Sequence, residues 1–176
     1  MRIAAVVALA LCALPAGSMA DKPRVNRAMI EAMERSLDRK LSSLWPADPV
    51  EVLGLTQGAY VDGVGAVFIG EVNVAPAAGI TPFHPLATPD EIKRTREKKL
   101  QRMAQLKTAM REMLVDSARS LDAVPPSEQV AVGISLFYWK WENREGLPAQ
   151  IVMHAPRKAL LESANAAQAP IESQEF

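Results

Sequence analysis

The clearest alternation of apolar and other residues lies at 130–141. There Val130, Val132, Ile134, Leu136 and Tyr138 interleave with Ala131, Gly133, Ser135, Phe137, Trp139 and Trp141. A period of two predicts a β-strand, because successive side chains point to opposite sides of a pleated backbone. Asn143-Arg144-Glu145-Gly146 then reads as a turn, with residues 149–154 returning as the partner strand. An earlier hairpin is predicted where apolar residues 58–61 meet Asp62-Gly63 and 64–74 follow. Asp-Gly suits a tight turn in which both positions need positive φ. On that return strand Val64, Ala66, Phe68, Val72 and Val74 share one face, and Gly65, Val67, Ile69, Glu71 and Asn73 the other. It is apolar on both faces as far as Ile69 and half polar beyond, the pattern of a strand running from a covered region to an edge. Val50, Val52 and Leu53 predict a short additional strand.

Three segments carry helical spacing instead. Met29, Met33, Leu37, Leu41, Leu44 and Trp45 recur mostly at steps of four behind a capping Asn26, and Pro46 ends the run. Thr88-Pro89-Asp90-Glu91 is a capping box with proline at the first helical position. The helix it opens extends to Leu121, long enough to predict a bend, a break or a projecting end. Its second half has a core stripe of Met103, Leu106, Met110, Met113 and Ser117, whereas its first half holds Lys93, Arg94, Arg96, Lys98, Lys99 and Arg102. A short third helix is predicted behind Pro156, and residues 166–176 read as a tail that docks only through Ile171 and Phe176. Together these elements predict the α+β class: an antiparallel or mixed sheet built from two β-hairpins, packed on one face by a long helix and two shorter ones.

The first 20 residues stand apart from this pattern. Arg2 precedes an uncharged apolar run at 3–14, Pro15 and Gly17 interrupt it, and Ser18-Met19-Ala20 supplies small residues before Asp21. That layout predicts a secretory signal peptide (1–20), a single domain (21–165) and a C-terminal tail (166–176). The apolar run is short of the roughly 20 residues a membrane span needs, so no transmembrane segment is expected after signal removal. Cys12 is the chain's one cysteine and lies mid-run behind Leu11, which disfavours acylation. The mature chain then has neither disulfide nor thiol nucleophile. Arg2 is also the only charge removed, so 20 basic and 20 acidic residues become 19 and 20. A net charge near −1 argues against a dedicated nucleic-acid binder.

Candidate chemistry is sparse, and no cofactor or metal is expected. The histidines, His84 and His154, belong to no metal-ligand spacing, and Asp62, Glu71 and Asp90 would need the fold to unite them. Gly133-Ile134-Ser135-Leu136-Phe137 lacks the second glycine of a nucleophile elbow and sits inside a strand. Glu71 and Glu142 are the only carboxylates placed to suggest an acid pair in an open sheet. Two surfaces remain. Phe137, Tyr138, Trp139 and Trp141 make up four of the mature chain's nine aromatics; they read either as core under the long helix or as a contact surface of Trp139, Trp141 and Arg144 at the hairpin tip. The basic half-helix reads either as a solvated face or as a contact built from Lys93, Arg94, Lys98 and Lys99.

The segments at 60–68 (YVDGVGAVF) and 150–161 (QIVMHAPRKALL) resemble those of a family of uncharacterised secreted bacterial proteins. The resemblance covers most of the mature chain. It implies export and one α+β domain, and brings no activity or catalytic residue with it. The expectation is an exported protein, periplasmic or extracellular, that binds another envelope protein or supports an assembly without catalysing a reaction. The alternative is a small periplasmic hydrolase using His154 or His84 with nearby carboxylates.

Overall fold

The computed structural model describes residues 24–76 and 87–176. The signal segment, and the part of the proline-rich loop that holds His84, lie outside the described residues. The chain order is α1 (Arg27–Ser42), β1 (Glu51–Val52), β2 (Gln57–Val61), β3 (Gly65–Asn73), α2 (Pro89–Ser120), β4 (Gln129–Leu136), β5 (Gln150–Pro156), α3 (Arg157–Glu162) and β6 (Glu172–Glu175). It is an α+β fold with one six-stranded mixed sheet, ordered β1-β3-β4-β5-β6, with β2 also pairing β3.

Both helix starts form as the residues dictate. Asn26 Oδ1 accepts from the Met29 amide at 3.0 Å, and Thr88 and Glu91 close the capping box reciprocally. The 32 residues of α2 run unbroken, about 48 Å at 1.5 Å per residue. The predicted break is absent because the helix is buried along one side from Thr95 to Ala118.

Alternation decides what each strand buries. Ala66, Phe68 and Val72 of β3, Val130, Val132, Ile134 and Leu136 of β4, and Ile151, Met153 and Ala155 of β5 face the helices and are almost wholly enclosed. They meet Ile30, Leu37 and Leu41 of α1, Leu106, Met110 and Leu114 of α2, and Leu160 of α3. Each Val, Leu, Ile, Phe or Met among them contributes about 1.5–3 kcal/mol when fully buried, so this single layer of contact holds the domain together.

Side-chain bonds fix the elements that burial leaves loose. Asp38 of α1 accepts both the amide and the hydroxyl of Thr56, at 2.9 and 2.6 Å, and Glu34 accepts from the Gly58 amide. The buried Arg157 donates to the carbonyls of Ala118 and Val124, closing the C-terminal end of α2. Glu128 accepts from the amide of Gly63 at 3.0 Å and so pins the Asp62-Gly63 turn.

Three expectations need correction. The first hairpin, β2–β3, forms, but through the three residues Asp62, Gly63 and Val64, of which only Gly63 takes positive φ (78°), and β4 and β5 pair through the long loop 137–149. The strand stops at Leu136 because the Phe137 carbonyl is taken by the Lys99 ammonium at 2.8 Å instead of by a ladder partner. Second, β3 does not run to an edge: it lies beside β4 in parallel register, Gly65 opposite Gln129 and Val72 opposite Leu136. Third, residues 166–176 supply strand β6, with Val152 opposite Gln174 and His154 opposite Glu172. Arg111 holds the carbonyls of Ala166, Ala167 and Ala169, and Lys107 pairs with Glu175 at 2.6 Å.

Where β3 and β4 start side by side, Gly65 has φ of 137°, and an added Cβ would lie 1.9 Å from the Gln129 carbonyl oxygen. Replacing Gly65 with Ala combines left-handed strain with a backbone collision. The expected cost is about 3 kcal/mol or more, read as a lower denaturation midpoint in urea.

Candidate functional site

The basic stretch of α2 divides into an inward and an outward set. Extending the stripe of Met103, Leu106 and Met110 backwards by steps of three and four reaches Lys99 and Thr95, and both are buried. The Lys99 side chain has no exposed surface; its ammonium stands 2.6 Å from Glu142 Oε2, donates to the Phe137 carbonyl and lies 4.4 Å from the centre of the Tyr138 ring. Burial pushes this ammonium below the usual lysine range, against the pull of Glu142. One turn on, the buried Arg102 donates to the Val74 carbonyl and to both the carbonyl and carboxylate of Asp48, and stacks 4.6 Å over Trp45. Lys98 also pairs with Asp48, and the hydrogen bond from its ammonium leads the groups that hold the Asp48 carboxyl below its ordinary range. Arg96 donates to the Glu145 carbonyl.

Lys99 therefore leaves the candidate contact surface, because a charge enclosed by its own fold is out of a partner's reach. Lys98 is half-exposed and committed to Asp48. Lys93 and Arg94 do point outward; Lys93 has Glu97 at 4.0 Å, and Arg94 bonds back to the Asp90 carbonyl.

The aromatic cluster is organised by loop 137–149 and not by one strand face. Tyr138 is the inward residue, its hydroxyl donating to the Pro148 carbonyl and its ring lying between Lys99 and Arg144. Burial, with Glu142 nearby, pushes its phenol up to about 12. Trp139 is 43% exposed and packs edge-on against Phe137, ring centres 5.0 Å apart. The Glu142 carboxylate ties the loop to α2, accepting from the Trp139 amide on Oε1 and standing as the ionic partner of Lys99 through Oε2. Trp141 is half-buried and Arg144 exposed.

This loop stands at one end of a larger surface. All three helices pack on one side of the sheet, and no described element covers the other. Strand register sets the residues of that open face in rows: Ala59, Val67, Ala131, His154 and Glu172 in one, and Gln57, Ile69, Gly133, Val152 and Gln174 in the next. Glu71, Ser135 and Gln150 form a third row, closed by Phe176 through its backbone bonds to Gln150. Ile69 is 46% exposed and Phe176 65%. The run of Gly65, Val67 and Ile69 on the second face of β3 was the available signal for this surface; Gly65 is buried and Val67 half-buried, but Ile69 is exposed where the alternation predicted cover. The described residues also form a groove of about 320 Å³ between α1 and α2, floored by Met33, Leu37 and Met113.

Other sequence candidates stay apart. Ser135 accepts from Gln150, while His154 lies opposite Ala131, four residues or roughly 13 Å along β4 from Ser135. His154 Nε2 stands 3.7 Å from Glu172 Oε2 on the open face, with the glutamate side chain 76% exposed. Asp62 and Glu71 sit toward opposite ends of β3, about 20 Å apart along the strand. Glu142 is enclosed with Lys99, and Glu71 is exposed on the open face. Among the described residues no three of His, Cys, Asp and Glu gather as metal ligands, and no helix is long and apolar enough to cross a membrane. No protein-family model, curated protein or solved structure matches the chain.

Two outcomes follow from the clamp. Replacing Lys99 with Met leaves Glu142 buried without its cation and should cost about 3–5 kcal/mol; adding Glu142→Gln should recover most of that. Denaturant titration followed by tryptophan emission reads both variants. For Tyr138 the folded pKa lies above the unfolded value of about 10. Its contribution to stability is complete below that pH and is lost as pH rises through the folded value of about 12. In a Tyr60→Phe background, phenolate absorbance should therefore stay flat through pH 10 and rise only near 12.

Proposed function

We propose that this chain is an exported, non-enzymatic protein of the periplasm or the extracellular space that binds another envelope protein. The contact surface in this reading is the open sheet face together with the loop at its end, through Trp139, Trp141 and Arg144. The observation that carries it is the exposed Trp139 held edge-on against Phe137 beside a sheet face that no described element covers. Rigid, half-exposed aromatics beside apolar surface are the composition of binding hot spots. Lys93 stands one helical turn from Arg96, whose bond to the Glu145 carbonyl sets the loop beside the start of α2. The outward cations Lys93 and Arg94 therefore border the same end of the molecule. Export is supported by the layout of residues 1–20 and by the resemblance of 60–68 and 150–161 to secreted bacterial proteins.

Two measurements test this reading. N-terminal sequencing of the protein recovered from the envelope fraction should begin at Asp21; retention of the whole chain in the cytoplasm refutes export. A photo-crosslinking residue at position 139 should capture a discrete envelope protein in living cells. The same probe at Leu161, exposed on α3 in the helix layer, should not. Equal capture at both positions, or none at 139, counts against the assigned surface.

A further inference from the structure

The charge on the open face narrows the partner's chemistry. None of the six strands contains Lys or Arg; besides Tyr60, their ionisable residues are Glu51, Glu71, His154, Glu172 and Glu175. Glu175 turns to the helix side, where Lys107 takes it. Alternation leaves Glu71 and Glu172 on the open face on either side of the apolar middle, with Glu51 beside Asn73 at its margin. That middle consists of Val67, Ile69 and Val152 around Ala131 and Gly133. Gly133 is itself buried between its neighbours, forming the low point of this middle: a Cβ built there would lie 3.7 Å from both Ile69 Cγ1 and Val152 Cγ2, ordinary contact with nothing nearer.

We infer that this face receives an amphipathic helix of the partner, its apolar ridge lying along β4 over Gly133 and its basic flanks meeting Glu71 and Glu172. The inference rests on the partner-binding reading above. Two residues along a strand advance about 6.7 Å and four along a helix about 6 Å, so successive ridge residues match Ala131 and Gly133. Glu71 has no Lys or Arg beside it on these strands, and Glu172 has only His154, at 3.7 Å; such carboxylates favour Lys or Arg opposite them and repel an acidic partner. A second copy of this chain is a poorer occupant. Its helices already bury their apolar faces against its own sheet, and face-to-face pairing would set two acidic surfaces against each other.

Three synthetic helices of about 18 residues, or five turns, test the inference against the exported domain. One has a leucine ridge with lysine flanks, one the same ridge with glutamate flanks, and one a serine ridge with lysine flanks. Only the first should bind saturably, shifting the amide resonances of Ile69, Gly133 and Val152. Glu71→Gln with Glu172→Gln, both exposed positions, should weaken it about tenfold. Gly133→Ala should weaken it several-fold while the melting temperature holds. The inference fails if no peptide binds, if the glutamate-flanked peptide binds equally, if the charge variants leave affinity unchanged, or if the shifted resonances map to the helices. A concentration-dependent dimer that Ile69→Asp dissolves in sedimentation overturns it in favour of self-association. Capture at position 139 with no peptide binding would sink the basic-helix partner alone; loss of that capture as well would sink the partner-binding reading beneath it.

Discussion

The domain depends on how two parallel strands end. Where β3 and β4 stop, their last carbonyls lose ladder partners in a region the helix layer encloses, and unpaired buried carbonyls are costly. Two cations three residues apart on α2 answer this: Arg102 takes the Val74 carbonyl and Lys99 the Phe137 carbonyl. Each then needs a counter-charge, supplied by Asp48 from the loop after α1 and by Glu142 from loop 137–149. Strand ends, crossover helix and two distant loops thus share one electrostatic arrangement. Further along the same helix, Lys107 and Arg111 hold β6 and the segment before it.

This arrangement also separates charge across the molecule. The inward cations of α2, Arg96, Lys98, Lys99 and Arg102, are spent on carbonyls and carboxylates of two loops and the strand ends, while the strands carry no Lys or Arg. The helix side is therefore sewn together by ionic and hydrogen-bonded contacts that leave little free valence. The opposite face keeps apolar side chains together with Glu71 and, beside His154, Glu172. A buried ion pair such as Lys99–Glu142 is weak grounds for stability, since desolvation offsets much of its attraction. Its effect here is positional: it fixes where loop 137–149 leaves the sheet, and hence where Trp139 stands.

The parts of this structure that local chemistry controls were legible in the residues. Asn26, the Thr88–Glu91 box and the alternation of Val130 to Leu136 each describe a short-range preference that the fold obeys, and Asp62-Gly63 does mark a hairpin although only its glycine takes positive φ. What was hidden depends on distant partners. Lys99 and Arg102 look like surface charge because nothing near them in sequence marks the two carbonyls they serve. The stripe of Met103, Leu106 and Met110 does point back to Lys99, but an apolar pattern gives no warrant for including a cation. Strand β6 has the composition of a tail, Glu-Ser-Gln-Glu, because an exposed edge strand is held by backbone bonds and needs no apolar face. The second face of β3 was misread for a related reason: apolar residues there imply cover, and the chain's own helices all go to the other side.

An uncovered sheet face with free edges would ordinarily invite aggregation. Several features restrain that here. The apolar middle is narrow, since Ala131 and Gly133 add little surface between Ile69 and Val152. Gln57, Gln150 and Gln174 interrupt it, and the outer edge strand β6 presents Glu172 on this face. Carboxylates repel an identical face while leaving the apolar middle available to a basic one. The same residues that keep copies of this domain apart therefore set the condition a partner must meet. Discrimination of that kind comes from a penalty on the wrong occupant as much as from attraction to the right one.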